Sequence, residues 1–314
     1  MVRILVTGGA GFIGSNLCKT LVKNEENYVI CVDNLLSGRI ENLKDLNNQN
    51  NFEFCNIDIT EKFDIPVDQI YNAACPASPK IYSKHSLKTF ETIVEGTKNL
   101  LELARKYNAT FLQFSTSEVY GNPIVHPQTE KYYGNVNAIG ARSCYDEGKR
   151  AAETLCYLFN KEYNVKTKIV RIFNTYGINM REDDGRVIPN FITHALKNED
   201  IEIYGDGTQT RSLCYIDDMI EGLINLMNTD ASITGPINLG NDCEITMNEL
   251  AKKIIELTNS QSKIVYKELL QDDPIRRKPD LTLAKELLNY NPKVSLETGL
   301  SKSILFYKNI IESK

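Results

Sequence analysis

The sequence has no tryptophan, only 3 histidines and no excess of positive charge, since 36 Lys+Arg stand against 41 Asp+Glu for a formal charge of −5. Without a long basic run there is no electrostatic reason to expect nucleic acid or an anionic membrane as a partner. Any negatively charged ligand must be held by local groups. His85, His126 and His194 stand in no HExxH or Cys/His ligand spacing, so no metal site is expected. The 8 cysteines (Cys18, Cys31, Cys55, Cys75, Cys144, Cys156, Cys214 and Cys243) form no CxxC pair, and several lie inside apolar segments as small buried hydrophobes. No apolar stretch approaches the roughly 18 residues of a spanning helix. The chain opens directly on a strand-like Val2–Thr7 with no signal-peptide pattern. The expectation is a cytoplasmic protein in a reducing compartment.

What is present is a globular composition: 314 residues, 42% hydrophobic and 25% charged, which excludes disorder, collagen and coiled coil. Strand-like segments at Arg3–Thr7, Tyr28–Asp33, Phe52–Asn56, Gln69–Ala74, Thr110–Ser115 and Lys166–Arg171 alternate with helical spacing at Ser15–Lys23, Thr89–Tyr107 and Asp146–Tyr163. This βαβ alternation predicts an α/β fold, a Rossmann-type doubly wound parallel sheet. After Asn174 the elements shorten, separated by clusters such as Tyr204-Gly205-Asp206-Gly207 and Asp272-Asp273-Pro274. Residues 1–174 are therefore read as the sheet domain. Residues 175–314 are read mainly as a smaller C-terminal lobe over the sheet's carboxyl edge, with some segments returning to the first domain.

Directly after the first strand comes Gly8-Gly9-Ala10-Gly11-Phe12-Ile13-Gly14, leading into a helix. A lone match in mid-chain would be an ordinary turn. Between a strand and a helix each glycine acquires its own purpose. Gly8 permits the tight turn, Gly11 lets backbone approach a pyrophosphate, and Gly14 allows close helix–strand packing. At the end of the second strand, Asp33 in Val32-Asp33-Asn34 is placed to accept from adenosine ribose hydroxyls and to repel a 2′-phosphate. NAD is inferred over NADP, which Arg39 nearby keeps open. Asp58, after the third strand, is a weaker candidate for the adenine end.

Tyr145-Asp146-Glu147-Gly148-Lys149 puts a phenol and an ammonium at i and i+4, on one helix face. A cation close by favours phenolate, so the pair suits a base acting on a substrate hydroxyl. The motif follows the glycine turn and Ser115-Thr116-Ser117-Glu118-Val119-Tyr120-Gly121, at a predicted strand end where open α/β sheets bind ligands.

In these motifs the chain resembles the extended short-chain dehydrogenase/reductase family, specifically its NAD-dependent nucleotide-sugar epimerases, dehydratases and decarboxylases. The likeness runs through Cys75-Pro76-Ala77-Ser78-Pro79, Ser143–Arg150, Arg171–Gly177, Asp184–Val187, Tyr204–Arg211 and Arg276–Asp280, and it is greatest for the UDP-glucuronate decarboxylases. It implies an enzyme that oxidises a sugar C4 hydroxyl with NAD. On this resemblance Tyr145 is the base, Lys149 its partner and holder of the nicotinamide ribose, and Thr116 the partner of the 4-hydroxyl. Ser117 and Glu118 face the sugar, and Arg277 handles its carboxylate. Phe12, Ile13, Asn34 and Ala73 join the cofactor site. Ser78, Pro79, Asn174, Arg186, Val187, Tyr204, Gln209 and Arg211 form the nucleotide-sugar site. The partners implied are a nucleotide-diphosphate sugar and a second copy of the chain, packed through Thr89–Tyr107 and Asp146–Tyr163.

Family dehydratases resemble one another in an Asp-Glu pair where this chain has Ser117-Glu118, which weakens a 4,6-dehydratase reading. The chain also departs from the decarboxylase pattern. Ile93 replaces an Asn, Ile178-Asn179 a Pro-Arg, Ala138 and Ala141 common prolines, and His85-Ser86 an Asn-Pro. A C4 dehydrogenase or epimerase of another nucleotide sugar, for example a heptose, is the alternative enzyme. A non-catalytic NAD-binding scaffold is the alternative of another class.

Overall fold

The computed structural model describes residues 1–268 and 276–312, so the Asp272-Asp273-Pro274 cluster lies outside the described residues. In the first part, strands rich in branched and aromatic residues alternate with helices: β1 (Val2–Thr7), α1 (Phe12–Leu21), β2 (Asn27–Val32), β3 (Phe52–Cys55), β4 (Gln69–Asn72), α2 (Pro79–Tyr82), α3 (Ser86–Glu91), α4 (Thr97–Tyr107), β5 (Thr110–Thr116), α5 (Ser143–Tyr163) and β6 (Lys166–Ile172). The rest comprises β7 (Thr175–Tyr176), α6 (Val187–Lys197), β8 (Ile201–Tyr204), β9 (Thr210–Ser212), β10 (Cys214–Tyr215), α7 (Ile216–Met227), β11 (Ile237–Leu239), β12 (Glu244–Thr246), α8 (Met247–Thr258), β13 (Ile264–Lys267), β14 (Arg276–Arg277), α9 (Thr282–Leu288) and α10 (Leu296–Glu312).

Seven strands form one sheet in the order β11-β6-β5-β4-β1-β2-β3, and every pairing in it is parallel. Successive residues of β1 show why: Ile4 and Val6 join one hydrophobic cluster with Leu17 of α1 and Leu223 of α7. Leu5 between them joins the other, with Leu100 and Ala104 of α4 and Cys156 and Phe159 of α5. A strand whose two faces are both apolar must be covered on both sides. Strand β11, from the second part of the chain, pairs with β6, so that part returns to the sheet. Elsewhere the later segments make small sheets, β10-β7, β12-β9-β14 and β13-β8, beside α6, α8 and α10. Among the described residues no helix is long and apolar enough to cross a membrane.

One expected helix is built differently. Apolar spacing predicts a single helix over Thr89–Tyr107, whereas the structure has α3, a π-helical turn at Thr92–Gly96, and α4. Inserting one residue into a helix leaves the apolar spacing intact on either side, so the pattern hides it. The wider turn seats Ile93 among Tyr82, Tyr145 and Ala152. It also brings Gly96 against Ile59, where a Cβ would lie 2.4 Å from the Ile59 side chain.

Candidate active site

The sheet order reverses between β1 and β4, and the crevice at their carboxyl ends receives the glycine turn. Gly8 has φ +68, and a Cβ there would fall 2.7 Å from the Ala73 carbonyl oxygen, which only glycine avoids. At Gly14 a Cβ would fall 2.2 Å from the Gly8 carbonyl oxygen, so its absence lets α1 begin against the turn. A Cβ at Gly11 would meet only the Gly8 carbonyl, at 3.1 Å. That leaves an open cradle over the unpaired N–H groups that begin a helix, here at Phe12 and Ile13.

Asp33 is buried just past β2; its Oδ2 accepts from the Ala10 N–H at 3.0 Å and its Oδ1 from the Leu35 N–H at 2.8 Å. Burial raises its carboxyl despite these two bonds. Each oxygen keeps a lone pair that can accept from a ribose hydroxyl. Asn34 donates to Asp58 at 3.0 Å. Burial works to raise Asp58, but the Lys88 ammonium at 2.8 Å, the Thr60 N–H and hydroxyl, and Asn34 together hold it well below the carboxylate range. Arg39 is engaged by Glu182 at 2.7 Å and Asp183 at 3.4 Å, which leaves it poorly suited to a 2′-phosphate. Turn, helix start and acidic strand end together fit an NAD-type dinucleotide.

Tyr145 and Lys149 lie one turn apart on α5, with the Lys149 ammonium 5.8 Å from the phenol ring centroid. Lys149 and an oxidised nicotinamide together are expected from the sequence to lower the phenol's pKa; in the protein alone other groups set it. Burial is the main influence and pushes Tyr145 up, Cys75 and Glu118 add to it, and Thr116 and Arg186 pull the other way. Lys149 instead donates to the Phe114 carbonyl at 2.7 Å, and burial lowers its own pKa. Thr116 ends β5 and caps the 3-10 turn Ser117–Tyr120, accepting from the Glu118 N–H at 3.3 Å.

The other end of the cleft is built from ion pairs. Arg277 grips Glu118 with two bonds, 2.5 Å to Oε1 and 2.7 Å to Oε2, and Arg142 adds a third at 2.6 Å to Oε2. Burial works to raise the Glu118 carboxyl, but Arg277, then Arg142 and Arg211, carry it below its ordinary range. Strand register explains the convergence: β14 pairs with β9 so that Arg277 sits beside Arg211. Arg186, at the start of α6, holds Asp184 at 2.5 and 2.8 Å, and Ser78 donates to the Asp184 carbonyl at 2.6 Å. Gln209 reaches the Tyr204 carbonyl at 2.6 Å, while the Asn174 carbonyl accepts from the Cys214 N–H at 2.9 Å.

These side chains, with Pro79, Val187, Ala73 and the glycine turn, line a single cleft of ≈ 690 Å³. Sequence reasoning missed three neighbours. Tyr82 stacks on Tyr145 at 5.3 Å and 11°, Arg142 bonds Glu118, and the buried Asp146 follows Tyr145. Arg142 stands one helical turn before Tyr145, a usable signal; nothing local marks Tyr82. Where Ile178-Asn179 departs from the family pattern, both residues tie to α1, Asn16 donating to the Ile178 carbonyl at 3.0 Å and Asn179 to Ser15 at 3.1 Å.

Residues 4–240 match the NAD dependent epimerase/dehydratase family. The chain belongs to that family. It is 53% identical over 299 residues to UDP-glucuronic acid decarboxylase 6 of Arabidopsis thaliana, covering 95% of this chain and 87% of the relative. Against UDP-glucuronic acid decarboxylase 1 of Danio rerio it is 48% identical, covering 99% of this chain and 73% of that one. Among solved structures it is similar to UDP-glucuronic acid 4-epimerase from Bacillus cereus in complex with UDP-glucuronic acid and NAD, with TM-score 0.89 and 28% identity, covering 98% of this chain and 100% of the other. As a member of this family the protein is an NAD-dependent enzyme on a Rossmann-type sheet.

Proposed function

We propose that the protein decarboxylates UDP-glucuronate to UDP-xylose. The observation that carries this reading is Arg277, a buried arginine held on Glu118 in the cleft that contains Tyr145 and the dinucleotide cradle. A guanidinium with that planar two-bond grip can exchange a protein carboxylate for a substrate carboxylate. NAD held on the glycine turn would supply the hydride acceptor for sugar C4 and, in its reduced form, the donor that restores it, with no net redox change.

Tyr145 takes the proton of the 4-hydroxyl and gives it back, with Thr116 aligning that hydroxyl and Lys149 supplying positive charge behind the phenol. Arg277 orients the C5 carboxylate, which beside a C4 carbonyl leaves readily as CO2; the electron pair stays behind as the C4–C5 enolate, and C5 takes a proton from solvent before the C4 carbonyl is reduced again. Arg142 keeps Glu118 in place when Arg277 lets go, and Ser117 stands beside them. Asn174, Arg186, Gln209 and Arg211 hold the diphosphate end, with Ser78, Pro79, Val187 and Tyr204 as walls. Gly8, Gly11, Phe12, Ile13, Gly14, Asp33, Asn34, Asp58 and Ala73 hold the cofactor. The reading divides the chain near residue 174 into a cofactor-binding and a mainly sugar-binding part. It includes a homodimer through Thr89–Tyr107, which spans the end of α3, the π turn and α4, and through Asp146–Tyr163 of α5, supported by exposed Phe90, Tyr157 and Leu158 on these packed segments. The cytoplasm is its place, in keeping with eight free thiols.

The experiment that decides is incubation with uniformly 13C-labelled UDP-glucuronate. Labelled CO2 and UDP-xylose in equal amounts, with no net NADH, are expected. A 4-epimer or a 4-keto product without CO2 would overturn the reading.

A further inference from the structure

Asp146 directly follows Tyr145 and is 8% exposed, yet its Oδ1 finds no hydrogen-bond donor among the described residues. Its other oxygen, Oδ2, lies 3.9 Å from Arg142 Nε, the same guanidinium that bonds Glu118 at 2.6 Å. Arg142, Arg277, Glu118 and Asp146 thus share one largely buried cluster, with Arg211 beside Arg277. If both carboxylates are ionised they cancel the charges of Arg142 and Arg277, and the attraction left for a sugar carboxylate is that of Arg211. If Asp146 carries a proton, the cluster gains one more positive charge to receive it.

We infer that Asp146 is a positioning residue that takes up a proton from solvent when the carboxylated nucleotide sugar enters, leaving Arg142 to hold Glu118 while Arg277 turns to the substrate. The inference rests on the proposed function, since it requires a carboxylate on the sugar. An unpaired buried oxygen suits a neutral carboxyl, because an ionised one there would lack any donor. Burial, then the Glu118 charge, pushes the Asp146 carboxyl up to about 7. The groups that face it are Arg142 and Arg277, which oppose that rise, Glu118 and Glu147, which add to it, and Tyr82 and Cys144, which feel its charge. A further negative charge from the substrate acts in the same direction as Glu118. The proton returns to solvent when the product, which has no carboxylate, leaves.

The experiment is titration calorimetry on the NAD-loaded Tyr145→Phe protein at pH 8, in phosphate and in Tris, whose different ionisation heats report protons exchanged. UDP-glucuronate is expected to bind with uptake of about one proton, and UDP-xylose with almost none. Asp146→Asn in the same background abolishes the uptake. In the otherwise wild-type enzyme, KM for UDP-glucuronate rises several-fold from pH 6 to 8.5. Asp146→Asn, which fixes the neutral form, flattens that rise and gives the lower KM at pH 8.5, an outcome that structural damage would not produce. Asp146→Glu restores a pH-dependent KM. Binding and turnover of UDP-glucuronate with no proton uptake by the Asp146-bearing protein would overturn the inference and leave the proposed function standing. Failure to bind UDP-glucuronate at all would remove both.

Discussion

The two ends of the cleft are made of different material. The cofactor end is backbone: a turn whose glycines leave room, a helix start, and one buried aspartate that ties them together through main-chain N–H groups. The sugar end is side chain, with Arg277, Arg142 and Glu118 locked in partly buried ion pairs and Arg186 on Asp184. A backbone cradle is complete within a few consecutive residues and recognises a ligand common to many enzymes. An ion-pair cluster draws on distant segments, and its partners can be exchanged, which suits a site that must release one carboxylate to grip another.

The contrast predicts how each end breaks. The largest loss is expected where the ends meet. Tyr145→Phe should lower decarboxylation by about 10²–10⁴-fold while NAD content, read after heat release of the cofactor, stays at the wild-type level. Next comes Arg277→Ala, which leaves Glu118 with Arg142. Its kcat/KM for UDP-glucuronate should fall about 100-fold, in line with about 3 kcal/mol for breaking a buried pair, while UDP-xylose affinity changes little. Equal loss for both ligands would assign Arg277 to the fold instead.

A smaller effect of a different kind is expected from Gly14→Ala. One added carbon meets the Gly8 carbonyl, so unfolding should become easier by about 1–3 kcal/mol and purified protein should emerge with little NAD. Retained NAD would mean the cradle is looser than its contacts imply.

Acid should also loosen the ion pairs of the sugar end. The Glu118 carboxyl lies below its ordinary value of 4.5, so its stabilisation is present above about that pH and is lost as pH falls through the folded-state value. The melting temperatures of wild type and Glu118→Gln should therefore converge on acidification from pH 6; a constant gap would refute the charged pairing. The smallest effect is Arg39→Ala, whose partly exposed pairs with Glu182 and Asp183 should contribute less than about 1 kcal/mol, measured by denaturant midpoint.

The cofactor end was legible because its information is local. Gly8 to Gly14 and Asp33 sit at strand ends whose β1 and β2 periodicity is plain in the sequence, and the parallel sheet follows from apolar residues on both faces of each strand. The tyrosine–lysine spacing was legible for the same reason, since a helix fixes i and i+4 on one side. Tertiary structure decided the rest. Apolar spacing cannot register the single extra residue of the π turn at Thr92–Gly96. Nor can it show that Lys149 points at the Phe114 carbonyl while burial drives Tyr145 upward, because desolvation depends on what covers a group. Arg277 meets Glu118 only because β14 lies in register beside β9, and Asp146 becomes a buried, half-paired carboxyl only once α5 is packed against that pair. Sequence determined the elements and the backbone cradle, whose geometry is set by neighbours in the chain. Folding alone decided the charges of the sugar site, whose energies are set by neighbours in space.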